Sequence, residues 1–228
     1  MSESEPASEI EAPADILAGH PASAYFWGHV AGSGEIKGES VEVVTNDEES
    51  ARVLSVIAGG DLEHDTATRE YAHDTSVIRT EDEYTLTIEA GEDGLFGRSA
   101  TSGLPVDGRG NYRFAAFSNY DRELLRGILE GCGTVCFKSK SGTVGISFVH
   151  DDRALLELVR DLIDDCPVEA PYGDLGETSS GGYWFGVDDD AAPDFGTWLY
   201  ETGEETGLFA PSRRRKLEKS LEQAEAYD

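Results

Sequence analysis

The chain has 228 residues, of which 39% are hydrophobic, and carries 46 acidic against 18 basic side chains, a formal net charge of −28. This length and hydrophobic content allow one sizeable core or two small fused cores, and the 9% of aromatic residues argues against wholesale disorder. The three cysteines, Cys132, Cys136 and Cys166, make no disulfide framework and lack the spacing of a zinc site. We therefore expect no metal and no cofactor.

The acidic residues are spread through the whole chain, and only 5 of the 18 basic residues are lysines. This pattern resembles the cytoplasmic proteins of salt-accumulating halophilic archaea, and an acidic protein from a low-salt organism is the alternative. In molar salt the Debye length falls to about 3 Å, so the net charge would not prevent binding of an anionic partner. No apolar stretch approaches the length of a membrane span and no signal peptide precedes the acidic start, so we expect a cytoplasmic protein without membrane association.

In chain order, residues 1–20 are polar and rich in proline and alanine, which predicts a flexible acidic tail. Residues 25–36 read YFWGHVAGSGEI and predict a helix that leads into a strand. The apolar alternation of residues 34–46 predicts a hairpin, and Asp47 is suited to cap the helix that follows. Tyr84, Leu86 and Ile88 alternate in a predicted later strand.

The second half of the chain repeats this order at an offset of 99 residues. A hairpin is predicted over residues 134–150, followed by Asp151 as a helix cap. The aligned residues are Gly28, Gly32 and Gly34 with Gly127, Gly131 and Gly133, Phe96-Gly97 with Phe195-Gly196, and, less closely, Pro105 with Pro211. We predict two αββαββα repeats, over residues 21–118 and 119–228, the second ending in a basic helix.

The paired glycines indicate how the repeats meet. Gly28 and Gly32, like Gly127 and Gly131, are four residues apart and share one helix face. A glycine inside a helix costs about 0.5–1 kcal/mol relative to alanine, so four of them need a compensating reason. We predict that the two helices touch backbone to backbone on a pseudo-two-fold axis. We also expect the glycines that follow them to adopt a left-handed, helix-ending conformation.

The segments FWGHVAGSG and LRGILEGCG, each followed by a strand, resemble the LAGLIDADG motif of homing endonucleases and their relatives. Leu199-Tyr200 and Arg215-Lys216 resemble that family's closing segment. The resemblance covers about residues 21–228 and implies an α/β (α+β) fold. Two four-stranded antiparallel sheets would form a saddle around the glycine-striped helix pair, in a monomer that is a pseudo-dimer. In active members the saddle straddles duplex DNA, and the last acid of each motif binds divalent metal for phosphodiester hydrolysis.

The chain departs from that motif where its chemistry lies. The eighth position holds Ser33 and Cys132, and the sixth holds Ala31 and Glu130. Hard cations need oxygen ligands, normally carboxylates, so Ser and Cys alone cannot assemble a two-metal clamp. Glu35 or Glu130 could replace the missing acids, although a shift of one or two residues re-aims the side chain. We expect no DNA cleavage, and interpret Glu130 as a hydrogen-bond partner of a neighbouring helix end.

The resemblance places DNA contacts on strands and hairpins. Lys37 lies in the first hairpin, and Lys138 and Lys140 lie at alternate positions of the second. The one dense basic run comprises Arg213, Arg214, Arg215 and Lys216. This set is thin for duplex DNA, because phosphate contacts dominate affinity. The first hypothesis is a non-catalytic nucleic-acid-binding protein with a regulatory role, and the plain alternative is that these are ordinary solvated cations.

Two further classes of function stay open. A protein-interaction or accessory subunit could use the same saddle without nucleic acid, anchored by the aromatic residues Tyr183, Trp184, Phe185, Trp198 and Tyr200, which are more often core residues. An enzyme of unrelated chemistry could use His73, His150 or the acids Asp188–Asp190, but no constellation supports it. A positive saddle face would favour nucleic acid, and an acidic face would count against it.

Overall fold

The computed structural model describes residues 10–37, 40–71, 74–89 and 104–227, and in residues 67–81 only the backbone. The first repeat contains α1 (Pro21–Ser33), β1 (Gly34–Lys37), β2 (Ser40–Thr45), α2 (Glu48–Ala58), β3 (Asp61–Tyr71) and β4 (Asp74–Glu89), and its described part ends in a 3-10 turn (Ala115–Phe117). The predicted Phe96-Gly97 pair lies outside the described residues.

The second repeat follows the same order and then extends it. It contains α3 (Asp121–Cys132), β5 (Gly133–Lys138), β6 (Thr143–His150), α4 (Arg153–Asp164), β7 (Gly176–Glu177) and β8 (Tyr183–Gly186). Three helices close the chain: α5 (Ala192–Tyr200), α6 (Gly203–Thr206) and α7 (Pro211–Glu225). In the described part of the chain, no helix is long and apolar enough to cross a membrane.

The strands form two four-stranded antiparallel sheets with the same topology, β1-β2-β4-β3 (sheet 1) and β5-β6-β8-β7 (sheet 2). Val43 pairs with Gly34 and Leu86 in sheet 1, as Phe148 pairs with Gly133 and Phe185 in sheet 2. The inner faces of both sheets are buried in the core, because apolar side chains alternate along the strands: Val41, Val43, Leu86 and Ile88 in sheet 1, and Val144, Ile146, Phe148 and Phe185 in sheet 2. The predicted α+β fold with two equivalent sheets is confirmed.

The glycine-striped helices α1 and α3 are packed against each other. A Cβ atom added to Gly28 would lie 2.4 Å from the carbonyl oxygen of Leu124, and one added to Gly127 would lie 2.2 Å from that of Tyr25. One turn further the approach is less tight, because a Cβ added to Gly32 would lie 3.1 Å from Cα of Gly131 and one added to Gly131 would lie 3.0 Å from Cα of Gly32. No side chain fits between these backbones, so the glycine stripes make the close approach possible.

Two local predictions are wrong. Gly34 and Gly133 have φ values of −91° and −99°, so they are extended and not left-handed. They are glycines because a Cβ would lie 2.8 Å from Cα of Val30 or 2.4 Å from Cδ1 of Leu129, where the chain turns sharply into the strand. In the second repeat Asp152, not Asp151, caps the helix, because its carboxylate accepts the Ala154 N–H at 2.9 Å.

Each repeat is also fastened to the closing segment of the other. Asp47 caps α2 with one carboxylate oxygen and accepts the Ser212 N–H with the other, at 3.1 Å. Asp152 caps α4 in the same way, and its second oxygen accepts a hydrogen bond from the Tyr112 hydroxyl at 2.8 Å. The two repeats therefore exchange contacts at equivalent places, as a pseudo-two-fold arrangement requires.

The division into residues 1–20, 21–118 and 119–228 stays a prediction. Within the predicted tail, residues 10–20 are described. There the carbonyl oxygen of Ile16 accepts a hydrogen bond from the indole of Trp27 at 2.9 Å, and Leu17 packs partly against the core.

Candidate functional site

The eighth motif positions lie where α1 and α3 end. The Ser33 hydroxyl donates to the carbonyl oxygen of His29 in its own helix, at 3.3 Å. Burial raises the pKa of the Cys132 thiol to about 12, although the positive charge of Arg213 acts in the opposite direction. A neutral thiol is a poor nucleophile, and sulfur is not the hard oxygen ligand that Mg²⁺ takes, so Cys132 does not replace the motif carboxylate.

The sixth motif position of the second repeat is a buried hydrogen-bonding centre. Glu130 is only 5% exposed, and its carboxylate accepts hydrogen bonds from the Tyr25 hydroxyl at 2.5 Å and from the Ala210 N–H at 2.9 Å. His29 Nε2 lies 3.4 Å from the same carboxylate. Because Ala210 is the N-cap residue of α7, Glu130 is a partner of a neighbouring helix end, as the sequence indicated. Both of its oxygens are engaged inside the protein.

Charged and aromatic groups around Glu130 form a buried network that the sequence did not reveal. The guanidinium of Arg126 donates to the carbonyl oxygens of Leu199 at 2.7 Å and Leu208 at 2.6 Å, and to the Thr202 hydroxyl at 2.9 Å. Burial lowers the pKa of Arg126, while neighbouring Glu130 opposes that shift. The one available signal was an arginine among the apolar residues of a core helix, which requires buried partners.

The hydroxyls beside this network remain protonated. Burial, reinforced by the negative charge of Glu130, raises the pKa of Tyr25 and of Tyr200 well above the ordinary range. The network therefore binds α1, α3 and the closing helices together through hydrogen bonds from the Tyr25 phenol to Glu130 and from the Arg126 guanidinium to two carbonyl oxygens and the Thr202 hydroxyl.

No alternative metal ligand set replaces the motif acids in the part of the chain that is described. No three His, Cys, Asp or Glu side chains there are grouped closely enough to hold a metal ion. Glu35, considered above as a substitute, is exposed and lies 3.3 Å from the Lys37 ammonium. Ala31, at the remaining motif position, is a buried core residue.

In the rows whose side chains the structure describes, the outer face of sheet 1, which points away from the helices, is acidic. In its central row Glu35 pairs with Glu42, Glu42 with Thr87, and Thr87 with Asp61. Side chains of neighbouring rows on this face add Glu63 and Glu89, against Lys37. An acidic sheet face repels phosphates, so this half of the molecule counts against contact with duplex DNA.

The outer face of sheet 2 is nearly uncharged. Its equivalent central row consists of Thr134, Ser147 and Gly186, so Ser147 takes the place of Glu42. The neighbouring rows place Cys136, Lys138, Thr143, Gly145, Val149 and Trp184 on this face. No carboxylate belongs to the paired residues of this face within the described strands. The two sheets have the same topology, but sheet 1 presents an acidic outer face to solvent and sheet 2 presents a nearly uncharged one.

Most of the predicted basic contacts are already engaged. Lys37 pairs with Glu42 at 2.5 Å, Lys138 pairs with Asp189, and Arg214 pairs with Glu204 at 2.6 Å and Glu218 at 2.9 Å. Arg215 lies 3.8 Å from Glu49.

Two predicted contacts stay exposed. Lys140 and Lys216 form no ion pair within the described ranges. Lys140 does not share a strand face with Lys138, as the alternation predicted, because β5 ends at Lys138 and Lys140 lies in the turn. Arg213 lies at the foot of α3, where Glu130 and Gly131 line the same cleft.

The aromatic anchors divide between core and surface. Phe185, Trp198 and Tyr200 are buried, whereas Trp184 is 45% exposed and its indole covers Gly176 on the outer face of sheet 2.

The groups considered for unrelated enzyme chemistry are not brought together. His150 accepts the Asp152 N–H at 2.9 Å, Asp189 accepts a hydrogen bond from Thr143 at 2.7 Å, and His73 lies outside the described residues.

Comparison with known proteins identifies the fold. Residues 1–227 match the family model LAGLIDADG_4, described as "Putative archaeal homing endonuclease". Full-length DUF199/WhiA from Thermatoga maritima is similar with a TM-score of 0.53 and 11% identity over 96% of this chain, which spans only 63% of that protein. The homing endonuclease I-WcaI, bound to its DNA recognition sequence, is similar with a TM-score of 0.52 and 10% identity, covering 88% of this chain and 87% of that one. A comparison with curated proteins finds no significant match.

Proposed function

The chain belongs to the LAGLIDADG homing endonuclease family, and we propose that it is a member that binds duplex nucleic acid without cleaving it. The observation that carries the proposal is the state of the eighth motif positions. Ser33 is bonded within its own helix, and Cys132 is a half-buried thiol whose pKa is raised by desolvation. Metal-dependent phosphodiester hydrolysis needs anionic ligands that hold a cation against the phosphate, and these two side chains supply none.

Nucleic-acid binding is supported by membership of the family and by the difference between the two sheets. I-WcaI, which shares the fold, is bound to DNA in its structure. In this chain the paired strand residues on the outer face of sheet 2 include no carboxylate, unlike those of sheet 1. At the hairpin end Asp189, from the segment after β8, pairs with Lys138, and Lys140 lies exposed in the turn. We propose that contact is made mainly through the second repeat, and that a regulatory role follows from binding without cleavage. A cytoplasm of high salt would weaken repulsion from the acidic half.

The test is binding of the full chain to a labelled duplex of about 20 base pairs, in about 0.1 M and about 2 M KCl. Ser147→Glu gives sheet 2 the acid that sheet 1 has at the equivalent position, and should abolish binding. Ser147→Ala is the matched control and should bind like the wild type. Failure of the wild type to bind at either salt concentration, or unchanged binding by Ser147→Glu, would contradict the proposal.

The absence of cleavage is tested separately with supercoiled plasmid in the presence of Mg²⁺ or Mn²⁺. We expect no nicked or linear product. A metal-dependent product that chelation abolishes would refute the non-catalytic half of the proposal and leave the binding half standing.

A second candidate is a protein-interaction or accessory subunit, and the acidic outer face of sheet 1 favours it. Glu35, Glu42 and Glu89 would attract a basic protein surface, and Val44, 39% exposed on the same face, would add apolar contact. Glu89→Lys should then weaken binding of a basic protein partner and leave DNA binding unchanged or improved. If the same substitution strengthens DNA binding and no protein partner is recovered, nucleic acid is the better assignment.

A further inference from the structure

One tryptophan side chain lies open on the outer face of sheet 2. Trp184 of β8 pairs with Gly176 of β7 on one side and with Val149 of β6 on the other. Successive side chains of a strand point to opposite faces of the sheet, and the next residue, Phe185, lies in the core. Trp184 therefore points to solvent, and 45% of its surface is exposed.

The indole of Trp184 rests on the backbone of β7, where only glycine leaves room for it. A Cβ atom added to Gly176 would lie 2.6 Å from Nε1, 3.0 Å from Cε2 and 3.3 Å from Cδ1 of the indole. Both neighbours of Nε1 are nearly as close as Nε1 itself, so Gly176 lies against the face of the ring and not beyond its N–H edge. In the part of the chain that is described, the indole has no hydrogen-bond, aromatic or cation partner. Its opposite face is therefore the side left to solvent.

Sheet 1 has no such ring at the equivalent place. The corresponding row consists of Val44, Thr85 and Glu63, so that Thr85 takes the place of Trp184 and Glu63 the place of Gly176. The aromatic ring and the glycine beneath it occur together in the second repeat alone of these two rows. The open indole is thus a feature of this sheet and does not follow from the fold that the repeats share.

The surface around Trp184 is flat and carries little charge. In the next row towards the hairpin, Ser147 pairs with Gly186, and neither side chain rises above the ring. At the other end of the strands the carboxylate of Asp151 lies beside Gly182. Such a surface offers no cation for a phosphate and no pocket for a protruding apolar side chain. It offers one exposed aromatic face, which matches another planar ring.

We infer that the open face of Trp184 stacks on an unpaired base, so that the protein prefers a nucleic acid with an unpaired base to a fully paired duplex; this inference rests on the proposed nucleic-acid-binding function. Bases inside a duplex are already stacked on both sides, so only an unpaired base can present its face to an indole. Stacking adds affinity without neutralising a phosphate. It therefore suits a chain with a net charge of −28, in which most of the predicted basic contacts are engaged in ion pairs.

The test compares a labelled duplex of about 20 base pairs with the same duplex carrying one extra, unpaired adenine, across a salt series. Stacking of one base corresponds to about 5- to 100-fold in affinity, and we expect the wild type to prefer the unpaired adenine by a factor in this range. Trp184→Leu keeps an apolar side chain without a ring and should lose the preference. The slope of log K against log salt should stay unchanged in Trp184→Leu, because no phosphate contact is lost.

Two further variants separate stacking from general apolar contact. Trp184→Phe keeps an aromatic ring and should keep most of the preference for the unpaired adenine. Val149→Ala is the matched control, because Val149 is the 44% exposed neighbour of Trp184 in the same row, and it should bind like the wild type.

Tryptophan fluorescence gives a second measurement that needs no variant. Trp27 and Trp198 are buried, so acrylamide should quench mainly the emission of Trp184 in the free protein. The duplex with the unpaired adenine should lower that emission and protect the remainder from acrylamide, whereas the fully paired duplex should do neither.

The outcomes separate this inference from the function on which it rests. Equal affinity of the wild type for both duplexes, or an unchanged preference in Trp184→Leu, would overturn the inference and leave the proposed function standing. Equal losses in Trp184→Leu and Val149→Ala would also overturn it, and would indicate an apolar patch for a protein partner. Absence of binding to every probe would overturn both. Thermal unfolding of each variant checks that the fold is retained, and the fluorescence of the wild type decides if Trp184→Leu does not fold.

Discussion

Substituting Gly127 by alanine tests the backbone contact on which the repeat interface depends. The new Cβ would lie 2.2 Å from the carbonyl oxygen of Tyr25 and 3.0 Å from the amide nitrogen of His29. Both are backbone atoms of a packed helix, which cannot move aside as a flexible side chain can. To remove the clash with the new Cβ, α1 and α3 must move apart by at least about 0.8 Å in a close-packed interior.

The size of the effect follows from two opposing contributions. Alanine gains about 0.5–1 kcal/mol of helix propensity over glycine, whereas overpacking of this kind costs about 1–3 kcal/mol and occasionally more. Because separation of the helices also strains the short hydrogen bond between Tyr25 and Glu130, we expect the upper part of that range. The net expectation for Gly127→Ala is a loss of about 2 kcal/mol in the free energy of unfolding.

The free energy of unfolding is measured by urea unfolding, monitored by circular dichroism. Two further glycine-to-alanine variants are measured in the same way for comparison with Gly127→Ala. An alanine Cβ at position 131 would be 3.0 Å from Cα of Gly32, so Gly131→Ala should cost less than about 1 kcal/mol. Gly173→Ala is the matched control, because its nearest new neighbour is 3.9 Å away, and it should stay within about 0.5 kcal/mol of wild type. A neutral or stabilising Gly127→Ala, or a reversed order of the three variants, would refute the backbone contact.

Three other predictions concern buried polar groups. Tyr112→Phe removes the hydrogen bond to Asp152 between the repeats and should lower the free energy of unfolding, measured with urea, by about 1–2 kcal/mol. An unchanged free energy of unfolding would show that this bond does not stabilise the fold. Arg126→Met removes the donor to the buried carbonyl oxygens of Leu199 and Leu208 and should lower the free energy of unfolding by about 3–5 kcal/mol; a loss below about 1 kcal/mol would show that the site repacks. The pKa of Cys132 is raised on folding, so its contribution is complete below about pH 9 and is lost as the pH rises towards about 12. Stability measured over that interval should therefore fall less steeply in Cys132→Ala, and equal slopes would contradict the assignment.

The sequence determined the helix pair because glycine spacing is a local and specific signal. Residues four apart share a helix face whatever the surroundings, and a stripe without Cβ atoms has few uses other than close approach. The internal repeat then implied that the second sheet copies the first. The replacement of the motif acids was also evident from the sequence, because Ser33 and Cys132 do not carry carboxylates whatever the fold.

The backbone conformation at the helix ends could not be predicted from the sequence. A glycine after a helix is common in the left-handed region, but Gly34 and Gly133 are required by the closeness of Val30 and Leu129. Adjacent aspartates at the end of the second hairpin gave two equally good caps, and only the geometry of the chain selected Asp152. Such choices depend on backbone direction, which pattern and propensity do not specify.

What only the tertiary structure decided is which groups meet across the pseudo-two-fold axis and which surface each charge occupies. Glu130 meets Tyr25, which is 105 residues away in the chain, and Ala210, which is 80 residues away. Lys138 meets Asp189, which is 51 residues away. The separation of an acidic sheet from an uncharged one depends on strand register, which fixes the side of the sheet on which every side chain lies. Composition records only the total of these charges. Long-range packing decides where they act, and therefore whether the retained saddle can still receive a phosphate backbone.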